Sequence, residues 1–353
     1  MRPAFRVRAP LQALLESTQV FYIYTALLEL AQSGAIELSW DAKSRREEYA
    51  IVVELERVAD GATRRVCFDI HDRSYLFCAA ELQASDVYFK RSHHPPDVAK
   101  LEPAAQRKVA AFGPIFGPGN RSAFLSLFSG WLRYAAAHPK LAGTGFRRLS
   151  DYLRLPVTRD FERSPDHELP PRVLLQTRLW MESEVTGEPF APEINEERVG
   201  VVRALRRELG DRFVGGALPT PFAERAYPDV VCHWDTRRSA YLRTMQTCLV
   251  GVYTKGLHHA TAWKLGEYAA ASMCIVASGL RDSFVAPFTA PRNFLGFLTP
   301  EECVDRCVRL LENRDEARAM ARANHEYYLA YIRPGKQMRR WLEQPFDAPE
   351  SIR

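Results

Sequence analysis

The sequence predicts an α/β chain of two doubly wound, Rossmann-like domains facing a cleft. Three observations lead there. Short apolar runs of strand length alternate with amphipathic runs of helix length, a pattern that favours parallel sheets flanked by helices. The 353 residues exceed one ordinary core and suit two. A stretch rich in proline and charge, residues 156–171, lies near the middle and reads as a linker.

In the first half, helical spacing covers 18–32 and strand-like runs follow at 36–40, 49–58 and 65–70. A helix is expected over 75–83, strands over 86–90 and 110–116, and an amphipathic helix over 122–137. After Pro170-Pro171 a new strand opens at 173–176. Helix 196–209, strand 212–215, helix 241–247, strand 249–253, helix 262–272, strand 274–277 and a short strand at 293–297 continue the alternation. Thr299 reads as an N-cap, with Pro300 at the first helical position and Glu301 and Glu302 in the first turn. Helices over 300–313, 314–331 and 336–342 close the chain. The domains so defined are 1–165, 171–332 and a terminal helix and tail, 333–353, that crosses back to the first. Residues 346–353 read as a loose tail.

Composition narrows the function classes. Hydrophobic residues make up 46% and charged residues 26%, an ordinary globular balance. The net charge of +5 is mild, and the arginines read as scattered rather than massed in a stripe, which disfavours nucleic acid as a partner. Seven cysteines without a CxxC pair suit buried thiols in a reducing compartment, and Cys303/Cys307 at helical spacing lack further ligands for zinc. The basic N-terminus has neither a long apolar core nor a cleavage site, and no apolar run is long enough to span a bilayer. A cytoplasmic protein is expected, with peripheral contact to an anionic membrane left open.

The segment from 249 to 297 carries the most chemistry. A strand ends at Tyr253, a polar loop with Gly256, His258 and His259 follows, and the next helix carries Lys264 and Glu267 on one face. Strand ends beside a helix N-terminus in an open α/β sheet hold diphosphates well. Lys264 adds positive charge there. Glu267 can accept two hydrogen bonds, as from the vicinal hydroxyls of a ribose. The competing reading is an ordinary ion pair on a solvated helix face.

This stretch resembles the donor-binding half of GT-B glycosyltransferases of the group 1 kind. Lys264-x-x-Glu267, the small residues and strand after it, and Thr299-Pro300-Glu301-Glu302 opening a late helix carry the resemblance, which covers about residues 171–332. It implies a nucleotide-sugar donor, with Glu267 on the ribose and Lys264 near the diphosphate. Arg178 resembles the arginine of the family's Gly-Arg-Leu turn, although Thr177 stands where the glycine would be. Retaining members carry two glutamates eight positions apart; here His259 occupies the first position and Glu267 the second. Stereochemistry, donor sugar and nucleobase stay open.

In the first half, Asp69, His71 and Asp72 end a buried strand, where an open α/β sheet binds ligands. Any of them could take the proton of an acceptor hydroxyl. Asp72 could instead cap the next helix. Lys90 and Arg91 end another strand and could meet phosphates or an acidic acceptor. His93 and His94 with Asp97 offer metal-ligand types, but the prolines beside them break ligand spacing. No cofactor or metal is expected. The reading is transfer of a sugar from a nucleotide sugar to a hydroxyl of a glycan, lipid-linked or protein acceptor, in glycan or surface-polysaccharide synthesis. The alternatives are a non-catalytic nucleotide-binding protein of the same fold and a nucleotide-sugar epimerase. A dehydrogenase is disfavoured, since neither half has G-x-G-x-x-G after its first strand.

Overall fold

The structure is a computed structural model that describes residues 3–16, 20–41, 49–185 and 190–347. The expected tail beyond 347, and the expected helix start at Thr18, lie outside the described residues. In chain order the elements begin with β1 (Phe5–Pro10), α1 (Leu11–Glu16), α2 (Phe21–Gln32), β2 (Ile36–Asp41), β3 (Ala50–Arg57) and β4 (Thr63–Asp69). Then come α3 (Ala79–Ala84), β5 (Val87–Lys90), the single turns α4 (Pro95–Val98) and α5 (Pro103–Gln106), β6 (Val109–Ala111), α6 (Phe124–Ala137) and α7 (Ala142–Arg154). They continue with β7 (Val173–Thr177), α8 (Ala191–Leu209), β8 (Phe213–Ala217), α9 (Pro221–Ala226), α10 (Arg238–Met245), β9 (Val250–Tyr253) and α11 (Trp263–Ala270). Last are β10 (Cys274–Ala277), β11 (Leu295–Gly296), α12 (Pro300–Glu312), α13 (Arg314–Tyr327) and α14 (Pro334–Glu343).

Two compact α/β units result. The first comprises 1–159, 282–285 and 330–353, and the second 160–281 and 286–329.

The first unit holds a six-stranded sheet in the order β2-β1-β3-β4-β5-β6. It is not wholly parallel. β3 runs antiparallel to both β1 and β4, while β1–β2, β4–β5 and β5–β6 are parallel. The cause is local: only residues 58–62 join β3 to β4, far too few for a parallel crossover. The turn uses Gly61 at φ +70, whose N–H donates 2.8 Å to the Arg57 carbonyl.

β1 has no counterpart among the expected elements. Its residues alternate buried and exposed, FRVRAP, with Arg6 and Arg8 outward. Cross-strand acids neutralise them: Glu37 and Glu56 for Arg6, Asp41 and Glu54 for Arg8. α7 was likewise not anticipated. The expected helix over 75–83 shrinks to α3. Ahead of it the Cys78 N–H donates to the Tyr88 hydroxyl at 2.9 Å and the Leu76 carbonyl accepts from Lys90 at 2.6 Å, so this backbone bonds outward and not along a helix. The strand expected over 110–116 keeps ladder pairing only through Ala111.

α14 closes the first unit by inserting Trp341 into its aromatic core. The indole lies 4.5 Å from Phe112, 5.2 Å from Phe68 and 5.6 Å from Phe89, ring centre to ring centre. Beside it Gln337 accepts 2.6 Å from the Tyr22 hydroxyl and donates 2.5 Å to the Phe112 carbonyl.

The second unit is a five-stranded, wholly parallel sheet in the order β11-β10-β9-β7-β8. β7, β9 and β10 are buried along their whole length, as strands covered on both faces must be. The chain starts in β7, steps to β8 on one side, then crosses to β9 on the other. The strand order therefore reverses between β7 and β9, and the crevice at their C-terminal ends is the topological switch point. Helix α12 starts as expected, the Thr299 hydroxyl accepting 3.2 Å from the Glu302 N–H. All seven cysteines are free thiols.

Replacing Trp341 by alanine should cost about 3–5 kcal/mol, because the ring fills the centre of a packed aromatic cluster. Urea unfolding followed by tyrosine and tryptophan fluorescence measures it. A loss under about 1 kcal/mol would mean that α14 does not hold the first unit together.

Candidate functional site

The switch point is built from the ends of two strands and one buried arginine. After β7 the chain reads Arg178-Leu179-Trp180; after β9 it reads Thr254-Lys255-Gly256. Arg198 of α8 joins the two. Its guanidinium donates 2.6 Å to the Arg178 carbonyl, 2.7 Å to the Lys255 carbonyl and 3.2 Å to the Thr254 hydroxyl. Arg198 is 6% exposed, and burial pushes its pKa down to about 10. None of its three bonds is to a carboxylate, although Glu197 raises its pKa through space and pairs with Lys255 at 3.2 Å.

Behind β9 a second cluster forms. Glu267 of α11 is buried, and its carboxylate accepts 2.8 Å from Arg238 and 2.9 Å from the Tyr241 hydroxyl, both on α10. Lys264, one turn earlier on α11, is half-buried with its ammonium 4.3 Å from the centre of the Tyr241 ring. Burial lowers the Lys264 pKa to about 8; Glu267 opposes that, while Arg238 and Arg198 add to it by repulsion. The Glu267 carboxyl titrates below its ordinary value, against its burial, because Arg238 and Lys264 stabilise the anion.

Lys264 and Glu267 are thus brought together, as their spacing predicts, with Glu267 inside the unit and Lys264 half-buried beside it. Both Glu267 oxygens already have protein donors. Its observed contacts make it the anchor of Arg238 and Tyr241, while it acts on Lys264 through space. Gly256, His258 and His259 form a tight loop beyond β9. The Gly256 N–H donates 3.1 Å to the Ala260 carbonyl, and a Cβ at Gly256 would come 2.7 Å from that oxygen. His258 and His259 both hold left-handed backbone, φ 57 and 60, which side-chain-bearing residues seldom adopt. Arg281 donates 2.6 Å to the His258 carbonyl and keeps the loop in place. Arg178 is exposed and lies 4.2 Å above the Trp180 ring, with Glu184 3.5 Å away.

In the first unit the strand-end residues separate. Asp69 and Lys90 are fully buried and bond each other at 2.8 Å. Asp69 also accepts from the Tyr88 hydroxyl at 2.5 Å and the His71 N–H at 2.8 Å, so it is no free base. Lys90 also lies 5.0 Å from the Phe77 ring centre and points away from solvent, which corrects the expectation that it meets phosphate. Asp72 keeps partial exposure and pairs with the buried Arg91 at 2.5 Å. It does not cap α3, which starts after Cys78. The His71 ring packs 4.1 Å from that of Tyr49. His94 pairs with Asp97 at 3.2 Å, and no group of three His, Cys, Asp or Glu suited to a metal occurs among the described residues.

The family model described as glycosyl transferase-like matches residues 198–343. That segment is similar to that family. Its first residue is Arg198, and it contains Arg238, Tyr241, Lys264 and Glu267. None of the curated proteins matches the chain.

Several solved structures are similar at low identity. The C-terminal domain of a glycosyl transferase group 1 family protein from Francisella tularensis is 10% identical, with 50% of this chain and 97% of that one covered at a TM-score of 0.34. MnaA of S. aureus with UDP is 10% identical, covering 78% and 65% at 0.36. UDP-GlcNAc 2-epimerase from Neisseria meningitidis bound to UDP-GlcNAc is 10% identical, covering 75% and 62% at 0.35. The chain spans just under two thirds of the length of the last two. Likenesses this remote assign neither ligand nor activity.

Within the matched segment, the sequence reading missed Arg198, Arg238 and Tyr241. Arg198 follows Ile194 by four positions and precedes Val202 by four, so helical spacing puts it in the apolar stripe of α8. Arg238 and Tyr241 lie 29 and 26 positions before Glu267, and no local pattern links them.

Lysine 13Cε NMR should show Lys264, assigned with Lys264→Met, titrating near pH 8 rather than near the ordinary 10.5. Glu267→Gln should lower it further by removing the attracting carboxylate. A midpoint near 10.5 would show the amine solvated and the cluster absent.

Proposed function

We propose that the chain transfers a sugar from a nucleotide-sugar donor to a hydroxyl acceptor, with the donor bound at the switch point of the second unit. The observation that carries this is the convergence of Arg198, Arg238 and Lys264 near the C-terminal ends of β7 and β9, inside a glycosyl transferase-like segment. A parallel sheet offers anions a site at this end, and buried cations act there through a low dielectric.

In the reaction the bond between the sugar's anomeric carbon and the phosphate oxygen breaks. The leaving phosphate keeps the electron pair, and Lys264 offsets the charge that builds on it. Arg198 holds the two strand ends in place and adds buried positive charge. Glu267 keeps Lys264 and Arg238 positioned. Gly256, His258 and His259 form the loop proposed to meet the sugar or phosphate, and Arg178 is the exposed cation proposed to reach the diphosphate. On the acceptor side, His71 and Asp72 at the end of β4 are the residues proposed to take the hydroxyl proton. Arg91 holds the Asp72 carboxylate. Synthesis of a glycan or surface polysaccharide, in the cytoplasm, is the proposed setting.

The purified chain should be titrated calorimetrically with UDP-, GDP-, ADP- and CMP-sugars, and the products followed by phosphorus NMR. One nucleotide series should bind and slowly release its nucleotide without an acceptor. Lys264→Met should weaken binding about tenfold or more. Binding should weaken as pH rises through about 8, where Lys264 loses its proton. Binding without nucleotide release would leave a non-catalytic nucleotide-binding protein. Sugar inversion with the nucleotide still attached would make it an epimerase. No binding of any series would refute the donor site.

A further inference from the structure

The outer face of α6 and α7 is apolar, aromatic and basic at once. α6 reads FLSLFSGWLRYAAA, and only Leu127, Gly130 and Tyr134 are buried. At 100° per residue these three fall within an arc of about 60°. Phe124, Leu125, Phe128, Trp131 and Leu132 occupy a separate arc of about 120°. Phe124 is 45% exposed, Leu125 79% and Leu132 51%, and Leu141 and Phe146 beyond the turn are 41% and 47% exposed. The rings form a ladder: Phe124 to Phe128 at 5.4 Å, Phe128 to Trp131 at 5.4 Å, Trp131 to Phe146 at 5.1 Å. Ser126, Ser129 and Arg133 form the polar side of the helix, and the wider of its two apolar arcs meets water.

The same segment carries the charge of the protein. Residues 121–154 hold Arg121, Arg133, Lys140, Arg147, Arg148 and Arg154 against one acid, Asp151. Their excess equals the +5 of the whole chain, so basic and acidic side chains balance everywhere else. Elsewhere many arginines face carboxylates, as Arg203 faces Asp229 and Arg309 faces Glu316. These six basic residues have no ion-pair partner among the described residues.

We propose that the α6–α7 face docks on an anionic lipid bilayer, its aromatic ladder in the headgroup region and its arginines on the lipid phosphates. Exposed aromatic and leucine side chains in a segment with unpaired cations match that boundary, where acyl chains meet negative headgroups. Protein interfaces, by contrast, seldom leave so many cations without partners. The contact lies on the surface of the bilayer, since no helix among the described residues is long and apolar enough to cross one. It does not depend on the donor-site reading.

Flotation of the full chain with phosphatidylcholine vesicles, with and without phosphatidylglycerol, tests this at low and high salt. Binding should be at least about tenfold tighter to the anionic vesicles and weaken at high salt. Leu125→Ser with Leu132→Ser should abolish it, and Arg121→Glu with Arg133→Glu should erase the lipid preference. All four side chains are exposed, so the melting temperature should not move. Failure to float with either vesicle, or variants that float like the wild type, would overturn the proposal. So would a concentration-dependent dimer in light scattering that Leu125→Glu dissolves, with no vesicle binding, since the face would then join two copies of the chain.

Discussion

The second unit depends on Arg198. A parallel sheet whose strand order reverses leaves two strand ends, β7 and β9, diverging into loops on opposite sides of a crevice. The last strand carbonyls, of Thr177 and Tyr253, accept from Leu218 and Ser278, and the first loop carbonyls beyond them are those of Arg178 and Lys255. Arg198 reaches both from the apolar face of α8 and bonds one carbonyl on each side. A neutral side chain could satisfy these acceptors too. Arginine does so while leaving a buried positive charge, and a structure meant only to be stable would avoid that cost. The charge makes sense if an anion comes to the crevice.

The α10–α11 cluster follows the same logic one layer away. Among the described residues, Glu267 is the acid bonded to Arg238 and close to Lys264, and it cannot neutralise both. The result is a lysine whose proton is held loosely, at about pH 8, because burial and the neighbouring arginines outweigh Glu267. Compared with this, the charged residues at the strand ends of the first unit are better compensated. Asp69 and Lys90 neutralise each other in the core, and Asp72 is answered by Arg91.

Much of the fold was legible in the sequence because alternation of short apolar strands with helices is a local pattern. The late helix with its Thr299 cap and the run from β9 to β10 are set by residues a few positions apart. What escaped was set at a distance. β1 looks like a basic tail until Glu37, Asp41, Glu54 and Glu56 stand opposite its arginines. The antiparallel β3 escaped although its cause, a five-residue connection, is local. In the site, Lys264 and Glu267 were legible as neighbours on one helix face, but their burial depends on α10. Arg198 was legible in principle, from its position in an apolar stripe, and was overlooked because arginines on helices are usually solvated.

The most direct test is a crystal structure of the chain with the nucleoside diphosphate that binds it best in solution. The account predicts the diphosphate at the C-terminal ends of β7 and β9, within hydrogen-bond reach of Lys264 or of the loop around Gly256. A nucleotide bound at the opposite end of the strands, or away from the second unit, would contradict it.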